Sequence, residues 1–162
     1  MQTYKLFLDL DGVLADFDAQ VRAITGKTPG QLGDKIMWPK LAKAKSFFEH
    51  LPWMPDGNAL WTACVPYSPV IITGLPRGNW AEPQKRAWCK RELGEDVQVV
   101  TCLSKEKSIK AKAFYEPPVI PVLIDDREKY KEKWEKEGGI FIVHKNTEES
   151  LAQLFALGKN FI

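Results

Sequence analysis

Cysteine is scarce in this chain. Cys64, Cys89 and Cys102 make an odd count with no CxxC spacing, which leaves no basis for a disulfide framework or a zinc cluster. Histidine is scarcer still, and the isolated His50 and His144 read as structural or exposed residues. No apolar run approaches the length of a membrane span. The opening "MQTYKLFLDL" lacks the charged region and cleavage site of a signal peptide. The expected setting is therefore the reducing cytoplasm, with no membrane partner. A surplus of one charge sign is also missing: 23 Lys and Arg face 21 Asp and Glu, a net +2. That balance gives no reason to expect a stable nucleic-acid complex. Lysines do cluster at 105–112 and 129–136, but the second cluster alternates with glutamates, the pattern of a solvated helix face.

What remains is an ordinary globular composition, 44% hydrophobic and 27% charged over 162 residues, enough for one domain that buries roughly 70% of its unfolded surface. Short apolar runs at 4–10, 68–75, 96–103, 119–125 and 139–145 alternate with helix-like stretches near 81–93, 105–114, 127–137 and 147–157. Several of the runs are continuously apolar, as strands covered on both faces should be. The alternation predicts an α/β fold, a Rossmann-like three-layer sandwich around a five-stranded parallel sheet. Asn146, with Glu149 three residues later, signals the start of the last helix, and Gly138–Gly139 provides the stop before the fifth strand.

One segment breaks the alternation. Between the first and second strands the chain has helical patterns near 14–25 and 38–49, separated by the turn-rich "TGKTPGQLGD". This insert predicts a small helical cap of residues 18–56 over the sheet edge, leaving 1–17 and 57–162 as the α/β core. Its Trp38, Phe47, Phe48 and Trp53 suit either a small core or a platform on which a base can stack.

The chemistry begins at "FLDLDGVLADF", residues 7–17. Acids at the end of a buried strand are costly to desolvate. Asp9 and Asp11, at positions i and i+2, should project together from the carboxyl end of the first strand, where open α/β sheets bind ligands. Gly12 then permits a sharp turn. Asp125 and Asp126 end another strand in "PVLIDDRE", and two acid clusters at one sheet edge call for a cation; all-oxygen ligands suit Mg²⁺. Thr73 and Gly74, at the end of the second strand, offer a hydroxyl and an open amide to a phosphate. The lysines of "LSKEKSIK" follow the third strand and can reach back as point charges. Such a set fits phosphoryl transfer, with one carboxylate attacking phosphorus and the other handling the leaving oxygen's proton. Asp16 reads as a turn residue on the approach to the cap.

"DLDGV", "IITG", a lysine and "LIDD" in this order resemble the four motifs of the haloacid dehalogenase superfamily of phosphotransferases. The resemblance implies that Asp9 is the nucleophile that forms an aspartyl-phosphate. It makes Asp11 the general acid/base, whose backbone carbonyl also ligates Mg²⁺, and Thr73 the phosphate-orienting hydroxyl. Asp125 becomes a metal-binding acid with Asp126 in support, so that Asp9, Asp11, Asp125 and Asp126 form the metal set. "EKSIK" matches the motif lysine best at Lys107, with Lys105 the alternative. "DLDGVLADFD", "LIDDR" and the short cap are similar to the 5′(3′)-deoxyribonucleotidase group, which implies a nucleoside monophosphate as substrate. The chain departs from that group in having "TGLP" where "TS" is usual. In the loop after Thr73, Arg77 is a candidate for contact with a second phosphate or a base edge. The alternatives are a phosphatase for a sugar phosphate or a nucleic-acid 3′ end, and a receiver-like phospho-acceptor domain. A receiver places its acid pair first and has no use for the additional Asp11.

Overall fold

The computed structural model describes all 162 residues. Five parallel strands, β1 (Tyr4–Leu8), β2 (Val70–Gly74), β3 (Val99–Cys102), β4 (Ile120–Asp125) and β5 (Ile140–Val143), form one sheet in the order β3-β2-β1-β4-β5. The first strand is thus central. The chain builds outward from it to β3, then returns on its other side through β4 to β5. The carboxyl ends of β1 and β4 border the crevice where this reversal occurs, the usual ligand position in such sheets. Their pairing sets Leu8 against Ile124, and the Asp9 amide donates to the Ile124 carbonyl at 2.9 Å. The acids that follow are therefore held side by side.

Although β1 is continuously apolar, its side chains alternate between two cores. Leu6 and Leu8 join one apolar cluster with Trp88, Leu60 and Leu154, whereas Phe7 faces the other side with Val70, Ile72, Leu123 and Trp134. The first core is covered by α1 (Phe17–Thr25), α2 (Pro29–Leu32), α3 (Asp34–Lys43), α4 (Gly57–Cys64), α5 (Ala81–Leu93) and α8 (Thr147–Ala156), the second by α6 (Lys107–Ala111) and α7 (Lys131–Lys136). This is the three-layer sandwich read from the sequence. The Asn146 side chain caps α8, accepting from the Glu149 amide at 2.8 Å. No helix is long and apolar enough to cross a membrane.

The insert differs from the pattern in detail. The turn-rich stretch holds the one-turn α2, the pattern near 38–49 becomes α3, from Asp34 to Lys43 with Pro39 inside it, and residues 48–50 form a separate single 3-10 turn. The stretches near 105–114 and 127–137 are broken by 3-10 turns, leaving only the short α6 and α7 as α-helix. Helix α4 was not evident from the sequence: it begins at Gly57 without a side-chain cap. Met37, Leu41, Phe47 and Phe48 lie in the same apolar cluster as Leu6 and Leu8, so the insert shares the core of the sheet's face. Its neck is closed by the amide of Asp16 donating to the Pro52 carbonyl at 2.8 Å and that of Met54 to the Leu14 carbonyl at 2.7 Å. The three cysteines are buried and unpaired.

Candidate active site

The strand ends bring Asp9, Asp11, Thr73, Gly74, Lys107 and Asp125 to one cavity of about 70 Å³. At Gly12, φ is +79° and an added side chain would collide with the Asp126 carboxylate, so only glycine permits this approach. At Gly74 the space is taken by the Ser104 hydroxyl.

Lys107, at the start of α6, is buried between two acids: its Nζ donates to Asp9 Oδ1 at 3.0 Å and to Asp125 Oδ2 at 2.8 Å. Lys105 is exposed, and only its backbone carbonyl is engaged, by Lys133. Burial opposes ionisation of Asp9, but the adjacent Lys107 charge outweighs it and holds the carboxyl below its ordinary pKa. Asp125 and Asp126 go the other way. Burial, reinforced by the Asp9 charge, pushes Asp125 up to about 6. Asp126 is exposed as a residue, yet its carboxyl lies over Gly12; burial and the Asp9 and Asp125 charges push it up to about 8. One oxygen from each of Asp9, Asp125 and Asp126 lies within 4.8 Å of the others. This all-oxygen set is short of positive charge and can hold a hard divalent cation. The Asp11 side chain does not join that group.

Instead, Asp11 meets a lysine that the sequence analysis missed. Lys85, on α5, has a side chain only 2% exposed and places Nζ 2.7 Å from Asp11 Oδ2. The same Nζ donates to Thr73 Oγ1 at 3.0 Å and to the Gly74 carbonyl at 2.8 Å. Burial, helped by the Asp9 charge, outweighs Lys85 and raises the Asp11 pKa. The other oxygen, Asp11 Oδ1, is buried without a hydrogen-bond partner. A signal for Lys85 was present. Ala81, Lys85, Trp88 and Cys89 are the buried residues of α5, so Lys85 fills a slot in the apolar stripe of an otherwise charged helix.

A second, larger cavity of about 590 Å³ adjoins the first, with Asp11 and Arg127 lining both. Phe17, Met37, Trp38 and Met54 supply its apolar wall, and Asp16, Asp18 and Asp34 are also among its lining residues. Asp16 is additionally the cap of α1, accepting from the Ala19 amide at 3.0 Å. The insert's aromatics thus divide: Trp38 borders the cavity, whereas Phe47 and Phe48 are buried. Arg77 is not brought to the site; it is exposed, lines neither cavity, and engages Trp80 only through its backbone carbonyl.

No family model matches the chain, and neither does any curated protein. Among solved structures, the chain is similar to the crystal structure of a hydrolase from Streptococcus pneumoniae TIGR4. The TM-score is 0.56 at 14% identity, over 97% of this chain and 98% of that one. That likeness establishes a shared fold across nearly the whole of both chains.

Proposed function

We propose that the chain is a Mg²⁺-dependent phosphomonoester hydrolase that works through an aspartyl-phosphate on Asp9, with a nucleoside monophosphate as its substrate. The observation that carries this reading is the division of labour within one acid pair. Asp9 is held ionised by Lys107, whereas Asp11, two residues on, is raised and has a buried oxygen free. Paired carboxylates whose surroundings push their pKa values apart are the mark of a nucleophile beside a proton donor. The hydrolase activity of the similar Streptococcus pneumoniae protein and the motif order of the haloacid dehalogenase superfamily support the same reading.

In the first step an Asp9 carboxylate oxygen attacks phosphorus, the bond to the leaving oxygen breaks, and Asp11 gives that oxygen its proton. In the second, water attacks the phosphoryl group as Asp11 takes its proton back, and the Asp9–phosphorus bond breaks to release inorganic phosphate. Thr73, the Gly74 amide and Lys107 hold the phosphoryl oxygens in the smaller cavity. The alcohol occupies the larger one, with Phe17 and Trp38 beside it. Asp9, Asp125 and Asp126 would hold Mg²⁺, which supplies charge neutralisation for the carboxylates and the phosphoryl oxygens.

The test is a screen of nucleoside monophosphates, sugar phosphates and 3′-phosphorylated oligonucleotides, run with Mg²⁺ and with EDTA. Phosphate release from nucleotides that needs Mg²⁺ and disappears in Asp9→Asn is the expected result. Undiminished release by Asp9→Asn would sink the mechanism, and preferential release from a sugar phosphate or an oligonucleotide end would sink the nucleotide assignment.

A further inference from the structure

Lys85 has only three protons to give, and all three are committed: to Asp11 Oδ2, Thr73 Oγ1 and the Gly74 carbonyl. None is left for a phosphate. Its neighbours gain direction from this arrangement. Because Thr73 Oγ1 accepts from Lys85, the hydroxyl's own proton is free to point at a phosphoryl oxygen. Because Asp11 is held through Oδ2 alone, its buried Oδ1 is the oxygen left for a substrate.

The insert covers this lysine. The Phe48 ring lies over Nζ at 4.5 Å, a cation–π contact that also excludes water. Phe48 is held there by its own segment. The Phe48 amide donates to Gln84 Oε1 at 2.8 Å, Trp88 Nε1 to the Leu51 carbonyl at 2.8 Å, and Arg91 Nη2 to the Glu49 carbonyl at 2.7 Å. The partners on α5 recur turn after turn, so the insert is fastened along the same helix that carries Lys85.

We propose that Lys85 is a positioning residue: it fixes the Asp11 carboxyl and the Thr73 hydroxyl in their working orientations, and the insert holds it in place through Phe48. The proposal rests on the phosphatase reading, with Asp11 as proton donor. It separates Lys85 from Lys107, which touches the nucleophile and not the proton donor.

Proton donation matters most when the leaving alcohol is poor. The decisive experiment therefore compares two esters of similar size, 4-nitrophenyl phosphate and 2-phenylethyl phosphate, in wild type, Lys85→Gln, Asp11→Asn and the double variant. Lys85→Gln should lose about 100-fold in kcat on the alkyl ester but under about tenfold on the aryl ester, as expected for weakened acid catalysis. Asp11→Asn should show the same selectivity, and the double variant should be no worse on the alkyl ester than Asp11→Asn alone. Equal losses on both esters, or multiplied losses in the double variant, would overturn the positioning role. Phe48→Leu keeps the lysine and an apolar side chain in the core, and removes the aromatic cover together with its contacts to Phe17, Phe47 and Trp80. It should show a smaller loss with the same selectivity, and it answers the question if Lys85→Gln does not fold. A wild type inactive on both esters with Mg²⁺ overturns the phosphatase reading itself, whereas wild-type activity with equal losses overturns Lys85's role alone.

Discussion

Two buried lysines enter the site from opposite faces of the sheet, and they treat the two members of one acid pair differently. Lys107 comes from α6, beside the core of Phe7 and Trp134, and lies between Asp9 and Asp125. Lys85 comes from α5, beside the core of Leu6 and Leu8, and binds Asp11 together with neutral oxygens. The acids sit two residues apart, yet one carboxyl is held low and the other high. Proximity in sequence does not give two groups the same chemistry. Here each acid takes its hydrogen-bonded lysine from a different layer of the sandwich, and burial outweighs that lysine at Asp11 but not at Asp9.

The comparison can be broken most sharply at the nucleophile. Asp9→Asn should lower kcat by about 10⁴-fold or more while the far-ultraviolet circular dichroism stays that of the wild type; retained turnover would remove Asp9 from the chemistry. Next comes Lys107→Met, which should lower kcat by about 10²–10³-fold. That loss should be equal on the aryl and alkyl esters, since Lys107 serves the step common to both. A selective loss would erase the distinction from Lys85. In the Mg²⁺-free protein the same change leaves Asp9 and Asp125 buried without their partner, and should cost about 3 kcal/mol in urea denaturation at neutral pH.

The metal-free protein should also reveal its excess of acids through pH. Asp125 and Asp126 have folded values near 6 and 8, above an unfolded value of about 3.9. The folded chain therefore keeps these protons longer, and stability falls as pH rises from about 4 to about 8. Added Mg²⁺ should raise Tm more at pH 8 than at pH 5.5. A metal effect independent of pH would mean that the cation does not sit among these carboxylates. The smallest effects belong to Lys105→Ala and Arg77→Ala, where both side chains are exposed and line neither cavity. Each should leave kcat/KM within about twofold of wild type, and a tenfold loss from Arg77→Ala would place that loop at the substrate after all.

Much of this was legible in the sequence, for reasons that can be stated residue by residue. Asp9 and Asp125 stand out because an acid closing an apolar run violates the pattern around it, and a violated pattern is visible. Asn146 was legible because capping is local and needs only three residues. Lys85 was not, because it lies in "AEPQKRAWCKREL", where charged residues are the norm and one buried lysine looks like its neighbours. Only its place in the stripe of Ala81, Trp88 and Cys89 distinguishes it. Arg77 is the opposite case: it stands next to Thr73 in sequence, yet its side chain is exposed and lines neither cavity. Pro39 suits the first turn of a helix but sits in the middle of α3, where tertiary packing of Met37 and Leu41 overrides local preference.

The closed neck of the insert has a consequence for how this architecture can change. Asp16 and Met54 tie the two ends of the insert to each other's strands of chain, so the loop is already closed before its tip begins. Residues 26–33 are exposed or half-buried, and within them Gly26 and Gly33 hold φ values of +73° and +74° that favour glycine. Lengthening such a tip costs little, about 0.6 kcal/mol for each doubling of a flexible loop. The tip is the part of the molecule that can be lengthened, its two positive-φ glycines and the Thr28–Gln31 cap kept, while the acids, the two lysines and the threonine below stay where they are.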